Sequence, residues 1–249
     1  MRRSTITSGV LALITAGALA LTGCTTTHDK KDGSTEKPAK APAAELADAA
    51  ARLKSDTFKM TMTLKIDTTS AKLDGVMDPA KKIGSFTVTT DDNGKTSVAE
   101  WRVLGNVVYL KSNTPGLRGN QNKPWRKIDE TASGDLADSF DGAKMAGPLG
   151  KALTVQRSGD RHFSGTFDTT ALGSALSIST PSAGPSASPA PTVAFTADLD
   201  SKGRLTHYHL DVPRTKGGTY PMDLAFSDFG TSVAVQAPPA DQVTDSTPN

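Results

Sequence analysis

The chain has 249 residues, 36% hydrophobic and only 5% aromatic, with 28 basic against 26 acidic side chains and a formal net charge of +2. Basic and acidic residues are interleaved, which excludes the concentrated positive surface of a nucleic-acid binder. This length holds one domain of ordinary size, and a single cysteine excludes internal disulfides as a source of stability.

The N-terminus has a basic start (Arg2, Arg3), an uncharged apolar run from Val10 to Leu21, and then Leu21-Thr22-Gly23-Cys24. That order is the order of an export signal. The apolar run is too short to cross a hydrocarbon core of ~30 Å as a helix. The Leu-x-Gly-Cys ending resembles a bacterial lipobox. The resemblance implies that residues 1–23 are a signal peptide, that Cys24 carries lipid on its sulfur, and that the mature chain begins there. The expected location is the cell membrane, lipid-anchored on the extracytoplasmic side. Residues 1–23 hold two arginines and no acid, so their removal leaves 26 basic against 26 acidic side chains.

Residues 24–42 contain no apolar side chain larger than Ala after the cysteine, and cannot bury enough surface to order themselves. They read as a disordered tether, reaching roughly 23 Å as a flexible coil. The domain is expected over 43–243. It opens with an Ala-rich helix over 43–53, whose Leu46, Ala49, Ala50 and Leu53 lie at helical spacing.

The period then changes to two. From Phe58 to Asp67 every even position is apolar and every odd one polar, the pattern of a long half-buried strand. Further strands are expected over 83–90 and 97–104, joined through Asp92-Asn93-Gly94-Lys95 as a tight hairpin. Gly105-Asn106 leads into a strand over 107–111, and 124–128 is a further short candidate. Residues 133–153 suggest two short helical pieces split near Gly142 and Pro148. Strands are expected again over 161–168, 192–199, 204–212 and 220–229, with a turn at 200–203. The Gly/Ser/Ala/Thr/Pro tract 173–192 reads as a low-complexity loop, and 244–249 as a disordered tail.

These elements describe an α+β domain: a strongly curved antiparallel sheet, a half-barrel, with a few helices covering its concave face. The expected concave positions are Phe58, Met60, Met62, Leu64, Trp101, Val103, Tyr208, Leu210, Met222, Leu224 and Phe226. They line an apolar cavity or fill a plain core; the pattern is compatible with both. Two methionines on one strand favour an adaptable surface, because thioethers repack around irregular apolar shapes.

Chemistry-bearing motifs are sparse. His207 and His209, with Asp211, share one strand face, but Tyr208, Leu210 and Val212 form the apolar face. The histidines therefore belong on the wet side, and no metal site is expected. Ser164-Gly165 lacks the Gly-x-Ser-x-Gly elbow, and Asp78, Asp91 and Asp92 sit at turns. No phosphate loop is present. The expectation is no catalytic residue, no cofactor and no enzyme.

The order of elements resembles the actinobacterial LppX/LprG-type lipoproteins, similar to the LolA-like half-barrels. The resemblance is carried by the lipobox, the tether, Trp101-Arg-Val-Leu-Gly-Asn-Val-Val-Tyr-Leu110 followed by Trp125, and the ending Phe226-Ser-Asp-Phe-Gly230…Val235-Gln-Ala-Pro-Pro-Ala-Asp-Gln-Val243. It covers residues 43–172 and 192–243, and the tract 173–192 departs from it. It implies a sheet curved around an apolar cavity that binds acylated lipid or lipoglycan for transfer across the cell envelope. Expected partners are that lipid, the membrane through Cys24, and an envelope transporter, with no nucleic acid. The alternative is a surface-anchored interaction or sensing module with a filled core and no lipid cargo.

Overall fold

The computed structural model describes residues 40–128, 140–176, 192–214 and 217–245. The expected signal peptide, Cys24 and nearly all of the tether lie outside the described residues, as do 177–191 of the low-complexity tract. Among the described residues no helix is long and apolar enough to cross a membrane.

The fold is α+β. Twelve strands form one sheet in the order β12-β6-β5-β4-β3-β2-β1-β11-β10-β9-β8-β7, not closed into a barrel. The strands are β1 Phe58–Ile66, β2 Thr69–Asp78, β3 Ile83–Asp92, β4 Lys95–Leu104, β5 Val107–Ser112, β6 Trp125–Ile128, β7 Thr154–Arg157, β8 His162–Asp168, β9 Thr192–Leu199, β10 Leu205–Pro213, β11 Thr219–Ser227 and β12 Val243–Asp245. Every pairing is antiparallel except β12 with β6. Strand β1 is the centre: β2–β6 extend from one edge as hairpins, and β11 back to β7 extend from the other. Most neighbours within each wing are consecutive in the chain; β12 on β6 is a long-range pairing, and β8 and β9 are separated by residues 169–191.

The predicted hairpin at 92–95 forms, with Asn93 and Gly94 both at positive φ (52° and 80°), as a two-residue turn of the favoured hand requires. Strand β2 follows β1 through a tight turn at Asp67, which also has positive φ; the sequence pattern did not mark it as a strand. Its inner positions, Ala71, Leu73, Gly75 and Met77, include two small residues, which weakens the alternation. Gly75 is small for a reason: a Cβ there would lie 2.2 Å from the Phe86 ring and 2.5 Å from the Ser85 carbonyl. Short strands β7 and β12 were likewise unmarked. Residues 243–245 of the expected end and tail pair with β6, so the predicted tail begins later than residue 244.

Helix α1 (Pro42–Arg52) starts with a proline in its first turn, where a missing N–H costs nothing, and buries Leu46, Ala49 and Ala50. Glu45 in its first turn and Arg52 in its last complement the helix dipole. Arg157 of β7 pairs with Glu45, and the Arg52 guanidinium donates to the Lys202 carbonyl, tying both ends of the helix to the sheet. Helix α2 (Gly142–Met145) is capped by Asp141, whose carboxylate accepts from Ala143 and Lys144 N–H. A 3-10 turn (Gly147–Lys151) follows, and helix α3 (Thr169–Leu176) continues directly from β8. Residues 173–176 of the predicted loop are therefore helical. These helical pieces pack on one another and on the wing β7–β10.

Register places two faces unambiguously. The face carrying Met62, Leu224, Tyr208 and Ala197 in one row is the inner one, and its residues make one core cluster with α1, α2 and α3. After β11 the chain crosses to the opposite edge of the sheet. Gly230 N–H donates to the Thr57 carbonyl, Arg102 on the outer face holds the Gln236 carbonyl, and β12 then pairs with edge strand β6. This strap buries Val233 and covers an edge that would otherwise offer unpaired backbone groups.

Candidate functional site

All eleven positions expected on the concave face share the inner face. Their burial divides them. Phe58, Met60, Val103, Tyr208, Leu210, Met222, Leu224 and Phe226 are buried in the core cluster. Met62, Leu64 and Trp101 are only partly buried and pack against it.

The cause is the cover above each. Near Phe58, helix α2 comes so close that a Cβ on Gly142 would lie 2.8 Å from the Phe58 ring and 2.9 Å from that of Phe226. Phe58 and Phe226 meet edge to face at 5.4 Å. Along β8–β10, Phe167, Phe195 and Tyr208 form a chain of ring contacts at 5.7 and 6.2 Å. That part of the inner face is packed.

On the β3–β4 side a hollow remains. It is open to solvent, holds about 360 Å³ and is lined by Val88, Thr90, Ser97, Val98, Ala99, Trp101, Thr114, Leu117 and Phe140. Its back wall is aromatic: Phe140 stacks on Phe86 at 4.7 Å and tilts against Trp101 at 5.3 Å. Among the expected cavity residues Trp101 is the one that lines it; the other lining residues carried no such assignment from the sequence. Ala99 and Ser97 follow from Trp101 by the strand period, as does Val88 across the β3–β4 pair. They are small or polar, so hydrophobicity alone does not single them out. Leu117, 45% exposed, stands at the rim.

The chemistry available in this hollow is burial and a few hydroxyls. Thr90, Ser97 and Thr114 can orient a polar group, but none is an acid or base. Tyr208 has an unusual electrostatic setting on the inner face. It is wholly buried, its hydroxyl has no hydrogen-bond partner among the described residues, and burial raises its pKa well above 10.0. It therefore stays a neutral phenol.

On the outer face, His207 and His209 are half-exposed beside acids, as the alternation requires. His162 Nδ1 lies 2.5 Å from Asp198, His209 Nδ1 2.7 Å from Asp223, and His207 between them at 3.5 and 3.4 Å from the same two carboxylates. Asp211 lies 3.7 Å from His209 Nε2. Each imidazole is spent on a carboxylate, and no group able to hold a metal occurs among the described residues.

No protein-family model matches the chain, and no curated protein matches it. Among solved structures it is similar to the crystal structure of a DUF1329 family protein from Desulfovibrio piger ATCC 29098. The two are 11% identical over 79% of this chain and 96% of that one, with a TM-score of 0.23.

Proposed function

We propose that this protein is a non-enzymatic lipid binder, tethered to the membrane through Cys24, that shelters an acyl chain on the open part of its inner face. The observation that carries the reading is the hollow of about 360 Å³ backed by Trp101, Phe140 and Val88, beside the partly exposed Met62 and Leu64. Its volume is within the range of ligand sites, and its wall is mainly apolar with a few hydroxyls at one side. Each methylene moved there from water contributes ~0.8 kcal/mol, so a chain binds without directed polar contacts. In this reading the bound species is an acylated lipid or lipoglycan in passage across the envelope, with an envelope transporter as a partner. The buried state of Phe58, Met60 and Tyr208 favours a second reading, an anchored interaction module whose inner face is simply core.

Tryptophan fluorescence separates the two. The chain has two tryptophans. Trp101 lines the hollow, whereas Trp125 lies on the outer face under Arg102, whose guanidinium is 4.5 Å from its ring. In the full chain carrying Cys24→Ser and Trp125→Phe, brominated palmitate should quench Trp101 saturably. Adding Ala99→Trp, which fills the hollow, should abolish displacement of a labelled fatty acid while circular dichroism stays unchanged. Absence of quenching in the folded parent favours the interaction module. The anchor is tested apart from this: Cys24→Ser should end palmitate labelling of the expressed chain, and persistent labelling would refute it.

A further inference from the structure

Strand β5 parts from β4 at a defined point. Asn113 closes the pair by donating its N–H to the Val98 carbonyl at 3.1 Å and accepting from Val98 N–H at 2.7 Å through Oδ1. Beyond it, residues 95–97 pair with β3 but no longer with β5. Residues 113–124 turn away as a loop, held by Thr114 N–H on Ser112 Oγ at 3.0 Å and by Arg126 Nη1 on the Gly116 carbonyl at 3.1 Å.

This loop has a hollow on each side. Thr114 and Leu117 face the one on the inner face. Asn113, Arg118, Asn120 and Gln121 face another of about 570 Å³ on the outer side, together with the Lys111–Glu100 pair. Val98 belongs to both. The two hollows therefore adjoin at the corner where the β4 edge is unpaired; both walls are mainly apolar, and the outer one also carries guanidinium, ammonium, carboxylate and amide groups.

The outer hollow has a definite charge. Lys111 is matched by Glu100 at 2.9 Å. The Arg118 guanidinium donates to the Asn113 carbonyl at 3.1 Å and pairs with no carboxylate among the described residues. One positive charge is left over, beside the side-chain amides of Asn120 and Gln121. Guanidinium reads phosphate oxygens, and amides both donate to and accept from hydroxyls.

We infer that the outer hollow at the β4–β5 corner takes the monoanionic, hydroxyl-bearing head group of the amphiphile whose acyl chain fills the inner hollow. This rests on the proposed lipid-binding function and gives it a ligand class, an anionic phosphodiester lipid with a polyol head. Loop 113–124 is the partition around which the ligand bends, with Leu117 against the chain and Arg118 against the phosphate.

The test uses two lipids with one palmitoyl chain, lysophosphatidylglycerol and lysophosphatidylcholine, titrated calorimetrically into the full chain carrying Cys24→Ser. The parent should prefer the glycerol head by about tenfold. Arg118→Ala should narrow that preference by weakening lysophosphatidylglycerol about tenfold and lysophosphatidylcholine less, because the choline ammonium already offsets the phosphate charge that Arg118 meets. Because Arg118 also braces its loop, Gln121→Glu is the second variant: it leaves the Arg118 brace in place, replaces an amide donor by a negative charge, and should weaken the glycerol lipid alone. Equal binding of both lipids by the parent, or no selective loss in either variant, overturns the head-group site while Ala99→Trp still abolishing both keeps the chain site. Binding of neither lipid by the folded parent overturns both. If sn-glycerol 1-phosphate alone binds as tightly as the lysolipid and survives Ala99→Trp, the outer hollow serves a free anion and the linked reading fails.

Discussion

The two wings of the sheet follow the same two-residue alternation, yet only one becomes a sealed core. On the β8–β11 wing the inner side chains Phe163, Phe167, Val193 and Leu210 are fully shielded. On the β3–β4 wing, Val88 and Trp101 remain partly open. The difference does not lie in the strands' pattern. It lies in cover, since α1, α3 and the 3-10 turn pack on the first wing and on one another. An alternating strand specifies a face, and what that face does depends on elements distant in sequence.

The largest expected effect contrasts the wings directly. Phe163 is wholly buried, and Arg157 lies 4.7 Å over its ring. Phe163→Ala should cost about 3–5 kcal/mol, because the surrounding helices and strands cannot collapse into the space. Val88→Ala on the open wing removes two methyl groups that are partly hydrated already. It should cost about 1 kcal/mol or less. Urea denaturation of both variants measures this. Similar losses would mean that the open wing is as tightly packed as the closed one, and would remove the basis for a binding hollow there.

An intermediate effect concerns the turn that starts the open wing. Asp78 is buried at the end of β2 and accepts from Lys81 through its Nζ at 2.8 Å and its N–H at 3.1 Å. The Lys81 side-chain bond, helped by the backbone bonds and outweighing burial, lowers the Asp78 pKa below 3.8. A depressed folded-state pKa means the contribution is fully present above the unfolded value and is lost as pH falls through the folded one. Asp78→Asn should therefore be less stable than the parent at neutral pH, with the gap closing below about pH 4. A gap that is constant from pH 7 to pH 2 would show that the carboxylate charge is not what holds the turn.

The contrast between wings also explains what could be read from the sequence. Strand β1 was legible because all five inner residues, Phe58, Met60, Met62, Leu64 and Ile66, are large and apolar while their neighbours are polar. Strand β2 was not, because Gly75 must be small to admit Phe86 and Val76 places an apolar residue on the outer face. The fold class followed from the other hairpins, where Asn93-Gly94 and Asp200 marked the turns. At the site, Trp101 stood out by size. Ser97, Ala99 and Thr90 did not, since a lining that leaves room is built from small residues that look like a wet face. Phe140 enters from another part of the chain, and only the tertiary structure brings its ring onto Phe86 and Trp101.

The smallest expected effect is an increase, and it probes the closed wing at a polar flaw. Tyr208 is 0% exposed, on the inner face of β10 between Ala197 and Leu224, with its ring 6.2 Å from Phe195. Its hydroxyl has left water without gaining a partner among the described residues, which costs roughly 1–3 kcal/mol for such a group. Removing the oxygen deletes that penalty and leaves a cavity smaller than a methyl group, which costs less than ~1 kcal/mol. Tyr208→Phe should therefore be as stable as the parent or more stable by about 1 kcal/mol, read from the urea midpoint at constant slope. On the open wing no inner-face substitution of one oxygen should do the same, since Thr90 and Ser97 remain hydrated at the hollow. If Tyr208→Phe instead loses 1 kcal/mol or more, the hydroxyl has a partner in solution. A buried water or a bound ligand's polar atom would then reach into the wing described here as sealed, and the ligand-binding surface would extend across β1 to β10.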